Sequence, residues 1–175
     1  MHLPWRGVPV GDDGLLVSTS LTPNEAGALA RLAAGRDVLE VGSAFGFSAC
    51  VMALAGAKHV TAVDPHEWLG SHAAMVSNLD ACGQSSAVTI VRGASPGALA
   101  TLAGPFGLAF IDGDHGFEAV LADVAAARKL LAGGGVLAVH DYLEDCCCPG
   151  VGDALDALFP GGPDELVDTL FVVAL

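Results

Sequence analysis

Short apolar runs recur along this chain, each closed by glycine, aspartate or proline, and stretches with helical spacing lie between them. The runs near 37–42, 59–64, 88–93, 108–112 and 134–140 are rich in Val, Ile, Leu and Ala on successive positions, the pattern of strands buried on both faces. Thr22-Pro23-Asn24-Glu25 carries a capping box with proline at the first helical position, which predicts a helix from there to about 34, stopped by Gly35. Further helices are predicted over 47–57, 72–81 and 153–158, with a short one over 96–102. Phe117, Val120, Leu121, Val124 and Leu131 recur at helical spacing, with Arg128 and Lys129 in the last turn and Gly133 beyond it. Residues 165–167 and 170–174 read as a terminal hairpin.

This alternation of β and α, joined by right-handed crossovers, predicts an α/β fold: one doubly wound, mostly parallel, seven-stranded sheet with an antiparallel C-terminal strand. Residues 1–20, with Pro4, Pro9 and Gly-Asp-Asp-Gly at 11–14, read as an irregular leader, and 21–175 as a single domain. No repeat, low-complexity tract or long linker interrupts it.

Composition changes this picture in three ways. Apolar residues make up 53% of the 175 and charged residues 15%, which suits a sheet covered on both sides. A net charge of −13, with seven unclustered Lys and Arg residues, repels phosphate backbones and anionic membrane surfaces, so neither nucleic acid nor membrane is expected as a partner. The first ten residues lack an apolar core, which argues against a signal peptide, and no apolar stretch approaches the ~20 residues of a membrane span. Five cysteines, three of them consecutive at 146–148 and none in a C-x-x-C pair, read as reduced loop thiols of a cytoplasmic protein. A metal or redox role for the triplet is the alternative.

Candidate chemistry falls at the ends of the strands. Val38-Leu39-Glu40-Val41-Gly42-Ser43-Ala44-Phe45-Gly46 is an apolar strand running into a glycine-spaced loop, and the next strand delivers Asp64. Such a unit suits a nucleoside: the glycines let backbone approach a ligand, and the carboxylate can take both ribose hydroxyls. The G-x-G-x-x-G of a nicotinamide site is missing, because Ala44 and Phe47 stand where two of its glycines belong. Asp64-Pro65-His66, Gly93-Ala94-Ser95, Asp112-Gly113-Asp114-His115 and His140-Asp141-Tyr142 all close strands, so acids and imidazoles gather on one rim.

The loop E-x-G-x-x-x-G resembles the cofactor loop of class I S-adenosylmethionine (SAM)-dependent methyltransferases. Ile111-Asp112-Gly113-Asp114-His115-Gly116-Phe117, Gly134-Gly135-Val136-Leu137-Ala138-Val139-His140-Asp141 and Pro149-Gly150-Val151 resemble its family-24 branch of small O-methyltransferase-like domains over about 20–175. The resemblance implies a Rossmann-like class I methyltransferase fold with SAM as cofactor. On it, Gly42, Ser43, Ala44, Gly46 and Ser48 approach the methionine part, with Glu40 near its amino group. Asp64 holds the ribose, Pro65, His66, Gly93, Ala94 and Ser95 flank the adenine, and Asp112 faces the methyl group.

The implied reaction is O-methylation of a small-molecule hydroxyl, on a phenol, catechol or sugar, in the setting of secondary metabolism. Two arrangements are open. In one, Asp112 and Asp141, with His140 beside them, hold a divalent metal such as magnesium. The chain departs from related enzymes here, with His140 where sugar enzymes place Asp and Tyr142 where catechol-type enzymes place Asn, which opens manganese, iron, zinc or no metal. In the other, His115, His140 or Asp114 is a general base. Against these stand plain roles: His115 as a turn residue, His140 bonded to backbone at a sheet end, and Asp114 capping the next helix. Trp5, Trp68, Phe45 and Tyr142 are candidate pocket walls. The leader, the 66–75 and 142–150 loops or the second subunit of a homodimer would complete the pocket. An N- or C-methyltransferase, a non-catalytic SAM-binding partner protein and a nucleotide-dependent oxidoreductase are the other readings.

Overall fold

The computed structural model describes residues 6–10, 15–143 and 148–175. Trp5, Gly11-Asp-Asp-Gly14, Cys146 and Cys147 lie outside them. Seven strands form the main sheet: β3 Asp37–Val41, β4 His59–Asp64, β5 Val88–Arg92, β6 Phe106–Ile111, β7 Leu131–Val139, β8 Glu165–Val167 and β9 Leu170–Ala174. Their spatial order is β5-β4-β3-β6-β7-β9-β8. The first five run parallel, β9 is antiparallel to β7, and β8 is antiparallel to β9. This is the expected doubly wound, mostly parallel sheet with an antiparallel C-terminal end.

Two-residue alternation fills both faces. Val38, Leu108 and Phe110 join the core beneath helices α1 Pro23–Ala33, α2 Phe47–Leu54 and α3 Ser71–Ala81, around Leu29, Met52 and Met75. Their neighbours Leu39, Ala109 and Ile111 point the other way, into the core shared with α4 Phe117–Leu130 and α5 Pro149–Leu158, around Val124, Leu155 and Phe171. The sheet is therefore apolar on both sides, as the low charged fraction implied.

Four local expectations need correction. The leader is not wholly irregular: β1 Arg6–Val10 and β2 Leu15–Thr19 pair antiparallel as a separate two-stranded sheet. In a ribbon where both strands are edges, Pro9 is tolerated. The helix expected over 96–102 is a single 3₁₀ turn, Leu99–Thr101. β7 begins at Leu131 rather than 134, because α4 passes directly into it and Leu131 pairs with Phe106 before a register shift. Helix α5 begins at Pro149 rather than 153, with proline in its first turn.

The strand order reverses at β3, which lies between β4 and β6, so the crevice opens at the carboxyl ends of β3 and β6. Every residue of the expected rim closes one of these parallel strands.

Candidate active site

A cleft of about 980 Å³ occupies that crevice. Its wall includes Gly42, Ser43, Ala44, Ser48, Asp64 and Pro65 on one side. Ala94 and Ser95 close one end, and Asp112, Asp114, His115 and Asp141 form the opposite rim. Five expected site residues do not reach the wall: Glu40, Gly46, His66, Gly93 and His140 stand behind it. Phe45 and Trp68 do line the cleft, with ring centroids 5.9 Å apart. Tyr142 is packing instead: its ring meets Phe171 edge-on and its hydroxyl donates to Asp156 at 2.7 Å.

The β3–α2 loop is fixed by backbone. Gly42 has φ +87°, and a Cβ there would lie 2.0 Å from the carbonyl oxygen of Asp112, so only glycine lets the ends of β3 and β6 touch. Gly46, φ +85°, lies under Met75 in the same manner. Ala44 holds φ +44°, a left-handed conformation that costs alanine roughly 1 kcal/mol or more. Asp64 holds it there, because its Oδ2 accepts the N–H groups of Ser43 and Ala44 at 2.9 and 2.8 Å. Its Oδ1 accepts from His66 N at 2.6 Å. The ring of His66 turns inward to Ser71 Oγ, 3.1 Å away, and burial pushes its pKa down.

Beneath the loop, Glu40 is fully buried. Ser48 donates to its Oε1, whereas among the described residues Oε2 has no partner, and neither has the buried hydroxyl of Ser43. Burial raises the Glu40 carboxyl to about 8, and the nearby Asp112 and Asp64 charges add to that rise against the Ser48 hydrogen bond. An orphaned hydroxyl on the cleft wall, with an orphaned carboxyl oxygen behind it, is the kind of feature a polar ligand resolves.

The opposite rim is built from side chains. His140 follows β7 and is buried, with Nδ1 3.2 Å from Asp112 Oδ1 and 3.4 Å from Asp141 Oδ2. Its Nε2 lies 3.3 Å from Oε2 of Glu25. Glu25 was legible only as a capping residue, and that role holds: its Oε2 accepts Thr22 N at 2.8 Å. The same carboxylate is also buried against the rim, where its Oε1 accepts the N–H and hydroxyl of Thr169 at 2.8 and 2.7 Å.

Burial opposes charge on each of these groups, but their mutual attraction outweighs it. His140 is pushed far up by Asp112, Asp141 and Glu25, whereas Glu25 is held down at about 2 and Asp112 below its usual range. His140 thus carries a proton on each nitrogen between carboxylates.

His115 is half-buried. Its Nε2 lies 3.3 Å from Asp141 Oδ2 and 3.7 Å from Asp112 Oδ1, and its Nδ1 lies 3.1 Å from Sγ of Cys148. The Asp112 carboxylate is the main cause of its raised pKa. Asp141 has φ +66°, a conformation aspartate tolerates better than most residues. Asp114 accepts from Gly116 N at 2.8 Å and closes the turn before α4, although Gly116 itself occupies the cap position. His59 is remote, paired with Thr89 at the other end of β4.

Of the rim residues, Glu25 was missed in this role, and Cys148 was foreseen only within the alternative metal or redox role of the cysteine triplet. Asp123 of α4, also missed, is buried with an unpartnered Oδ2, and burial raises its pKa against a hydrogen bond from Ser95. For Glu25 and Asp123 the only available signal was an acid on a helix face that also carries core residues.

A model of the methyltransferase-domain family 24 matches residues 39–142, more than half of the chain. No curated protein matches the sequence. Among solved structures, cofactor-bound Rv0187 from MTB is similar at TM-score 0.73 and 24% identity, over 89% of this chain and 80% of that one. The O-methyltransferase from Bacillus cereus in complex with SAH is similar at 0.71 and 18%, over 88% and 81%. The O-methyltransferase TomG from Streptomyces achromogenes, involved in tomaymycin synthesis and solved with SAM, is similar at 0.70 and 20%, over 89% and 80%. With the doubly wound sheet and its crevice at the β3–β6 switch, the family match leads to one assignment. The chain belongs to the family-24 methyltransferase domains, a branch of the class I SAM-dependent methyltransferases.

Proposed function

We propose that the protein transfers the methyl group of SAM to a hydroxyl of a small molecule, with phenols, catechols and sugars as acceptor classes. One observation carries this reading: a single cleft joins the glycine loop and Asp64 to the Asp112–His115–Asp141 rim. Its volume reaches the upper end of the ~300–1,000 Å³ of small-molecule pockets, enough for a donor and a modest acceptor together. The O-methyltransferase neighbours and the net charge of −13, unsuited to nucleic acid, support the acceptor class. A cytoplasmic setting and a homodimer that completes the acceptor pocket belong to the same reading.

The residues fit the donor. Glu40 Oε2 and the Ser43 hydroxyl lack partners and would meet its ammonium and carboxylate, with Ser48, Gly42, Ala44 and Gly46 shaping that end. Asp64 would accept the ribose hydroxyls, and His66, through its N–H, keeps that carboxylate in place. Pro65, Gly93, Ala94 and Ser95 would border the adenine. When bound, SAM supplies an electrophilic methyl group on a sulfonium. The protein's task is then to align the acceptor oxygen and remove its proton.

Asp112 faces that oxygen from the rim. His140 does not take the proton, because it is enclosed and already protonated between carboxylates. His115 Nε2 is buried as well, and its Nδ1 faces Cys148, so neither imidazole offers an open nitrogen to the cleft. This favours a divalent ion held by Asp112 and Asp141, which would polarise the acceptor oxygen. His115 as general base is the second reading, favoured by its place on the cleft wall. Asp114 acts as a turn former.

Calorimetric titration with S-adenosylhomocysteine (SAH) tests the donor half. Micromolar affinity is expected, with a loss of about 100-fold in Asp64→Ala, because charge-assisted hydrogen bonds contribute about 1.5–3 kcal/mol each. Unchanged affinity in that variant contradicts the ribose assignment. Methylated product from a panel of phenols, catechols and sugars, read by mass spectrometry, tests the acceptor class. Methylation confined to amines would transfer the reading to N-methylation.

A further inference from the structure

We propose that His115, Asp141 and Cys148 form a metal site whose imidazole, carboxylate and thiolate donors select a borderline divalent ion, of the zinc or ferrous class, over magnesium. This deepens the reading above, since it names further ligands for the ion at the rim.

The three donors come from separate parts of the chain: the loop after β6, the residue after His140, and the residue before α5. Their ligand atoms lie within 4.8 Å of one another. Asp141 Oδ2 is 3.3 Å from His115 Nε2 and 3.8 Å from Cys148 Sγ. Zinc bonds of about 2.0–2.3 Å place tetrahedral ligands roughly 3.3–3.6 Å apart; Cys148 Sγ lies 3.1 Å from the other ring nitrogen, Nδ1, so a turn of the His115 ring together with small shifts of Asp141 and Cys148 closes this set on an ion. His115 Nε2 is buried and forms no aligned hydrogen bond, although two carboxylates lie beside it.

The overlapping cluster of Asp112, His140 and Asp141 is the weaker candidate. Both nitrogens of His140 face carboxylates, and its ring stands behind the wall. His140 acts as an orienting group there, holding Asp112 and Asp141 through Nδ1, the arrangement by which outer residues fix ligating carboxylates. His115, Asp141 and Cys148 all line the cleft, so a fourth position stays open to Asp112, whose Oδ1 is 3.7 Å from His115 Nε2, or to an acceptor oxygen. Thiolate disfavours magnesium and calcium, and the mixed N, O and S set suits zinc, ferrous iron or cobalt.

The test uses chelator-treated full-length protein, titrated with zinc, cobalt and magnesium, with SAH binding measured in parallel. One equivalent of zinc is expected, at least ~100-fold tighter than magnesium. Cobalt should give sulfur-to-metal charge-transfer absorption in the near ultraviolet. Cys148→Ser should abolish that band and weaken zinc by more than the roughly 10–100-fold that loss of an outer-shell partner costs, whereas Cys146→Ser and Cys147→Ser retain it. Failure to bind zinc, equal affinity for magnesium, or a band that survives in a folded Cys148→Ser protein overturns the proposal. Those results with SAH binding intact leave the donor reading standing. Zinc binding without SAH binding does the reverse, sustaining the metal site while the donor reading fails.

Discussion

On the β3–β4 side of the cleft, backbone sets the groups that face it; on the β6–β7 side, side chains do. Asp64 holds the N–H groups of Ser43 and Ala44 across about twenty residues of one β-α-β unit. The rim instead depends on Glu25 reaching His140 and Thr169, far along the sequence, and on His115 reaching Cys148. The first half is a local motif that any glycine-loop fold can assemble early. The second is an alternating row of carboxylates and imidazoles that exists only once three distant segments have met. Charge follows the same division: the β3–β4 side buries an acid whose carboxyl is raised to about 8, and the rim buries ions kept in pairs.

The largest effect that would break this contrast is Glu25→Ala. It leaves the buried Nε2 of His140 and the N–H of Thr169 without their acceptor and removes half of the capping box, and a loss of about 3 kcal/mol is expected by denaturant unfolding, while Asp112 and Asp141 still balance the His140 charge. A change below about 1 kcal/mol, the range of exposed pairs, would mean that the rim is no more than a surface cluster.

A smaller effect is the acid limb of stability. Glu25 titrates at about 2 in the fold against a usual 4.5, so the folded state binds fewer protons between those values. Its contribution is complete above about 4.5 and is lost as pH falls toward 2, at up to about 1.4 kcal/mol per pH unit. Unfolding curves at pH 5, 4 and 3 should converge with those of Glu25→Gln as pH falls; parallel curves would remove Glu25 from this role.

The smallest effect sharpens the donor side. Glu40, raised to about 8, is mainly protonated at pH 7, and a ligand ammonium beside its free Oε2 would draw it into the charged form. SAH binding at pH 7 should release up to about one proton, fewer above pH 8, read as a dependence of binding heat on buffer ionisation enthalpy. Glu40→Gln should abolish it, and zero release in the parent protein contradicts the pairing.

The same contrast explains how far the sequence could be read. Strand runs, the capping box of Thr22 and Glu25, the glycine loop and the strand-end acids depend on spacing within a few residues, and apart from the earlier start of β7 they lie where that spacing put them. The β1–β2 ribbon was hidden by its proline, and the first turn of α5, opened by Pro149, lies ahead of the 153–158 helix the sequence predicts. Glu25 and Asp123 were hidden for another reason, as was the contact of Cys148 with His115. A side chain's partner 33 residues away, as for Cys148, or 115 away, as for Glu25 and His140, leaves no periodicity, and an acid at the third position of a helix already had a sufficient local explanation.

Thr169 gives that long reach a temporal meaning. The threonine sits just ahead of β9, the last strand of the main sheet, yet it supplies two of the hydrogen bonds that hold Glu25 against His140. A ribosome releasing this chain in order delivers the glycine loop and Asp64 well before that threonine. A partly synthesised molecule therefore has its glycine loop and Asp64 long before its rim can be braced, and no fragment ending before position 169 can make those bonds.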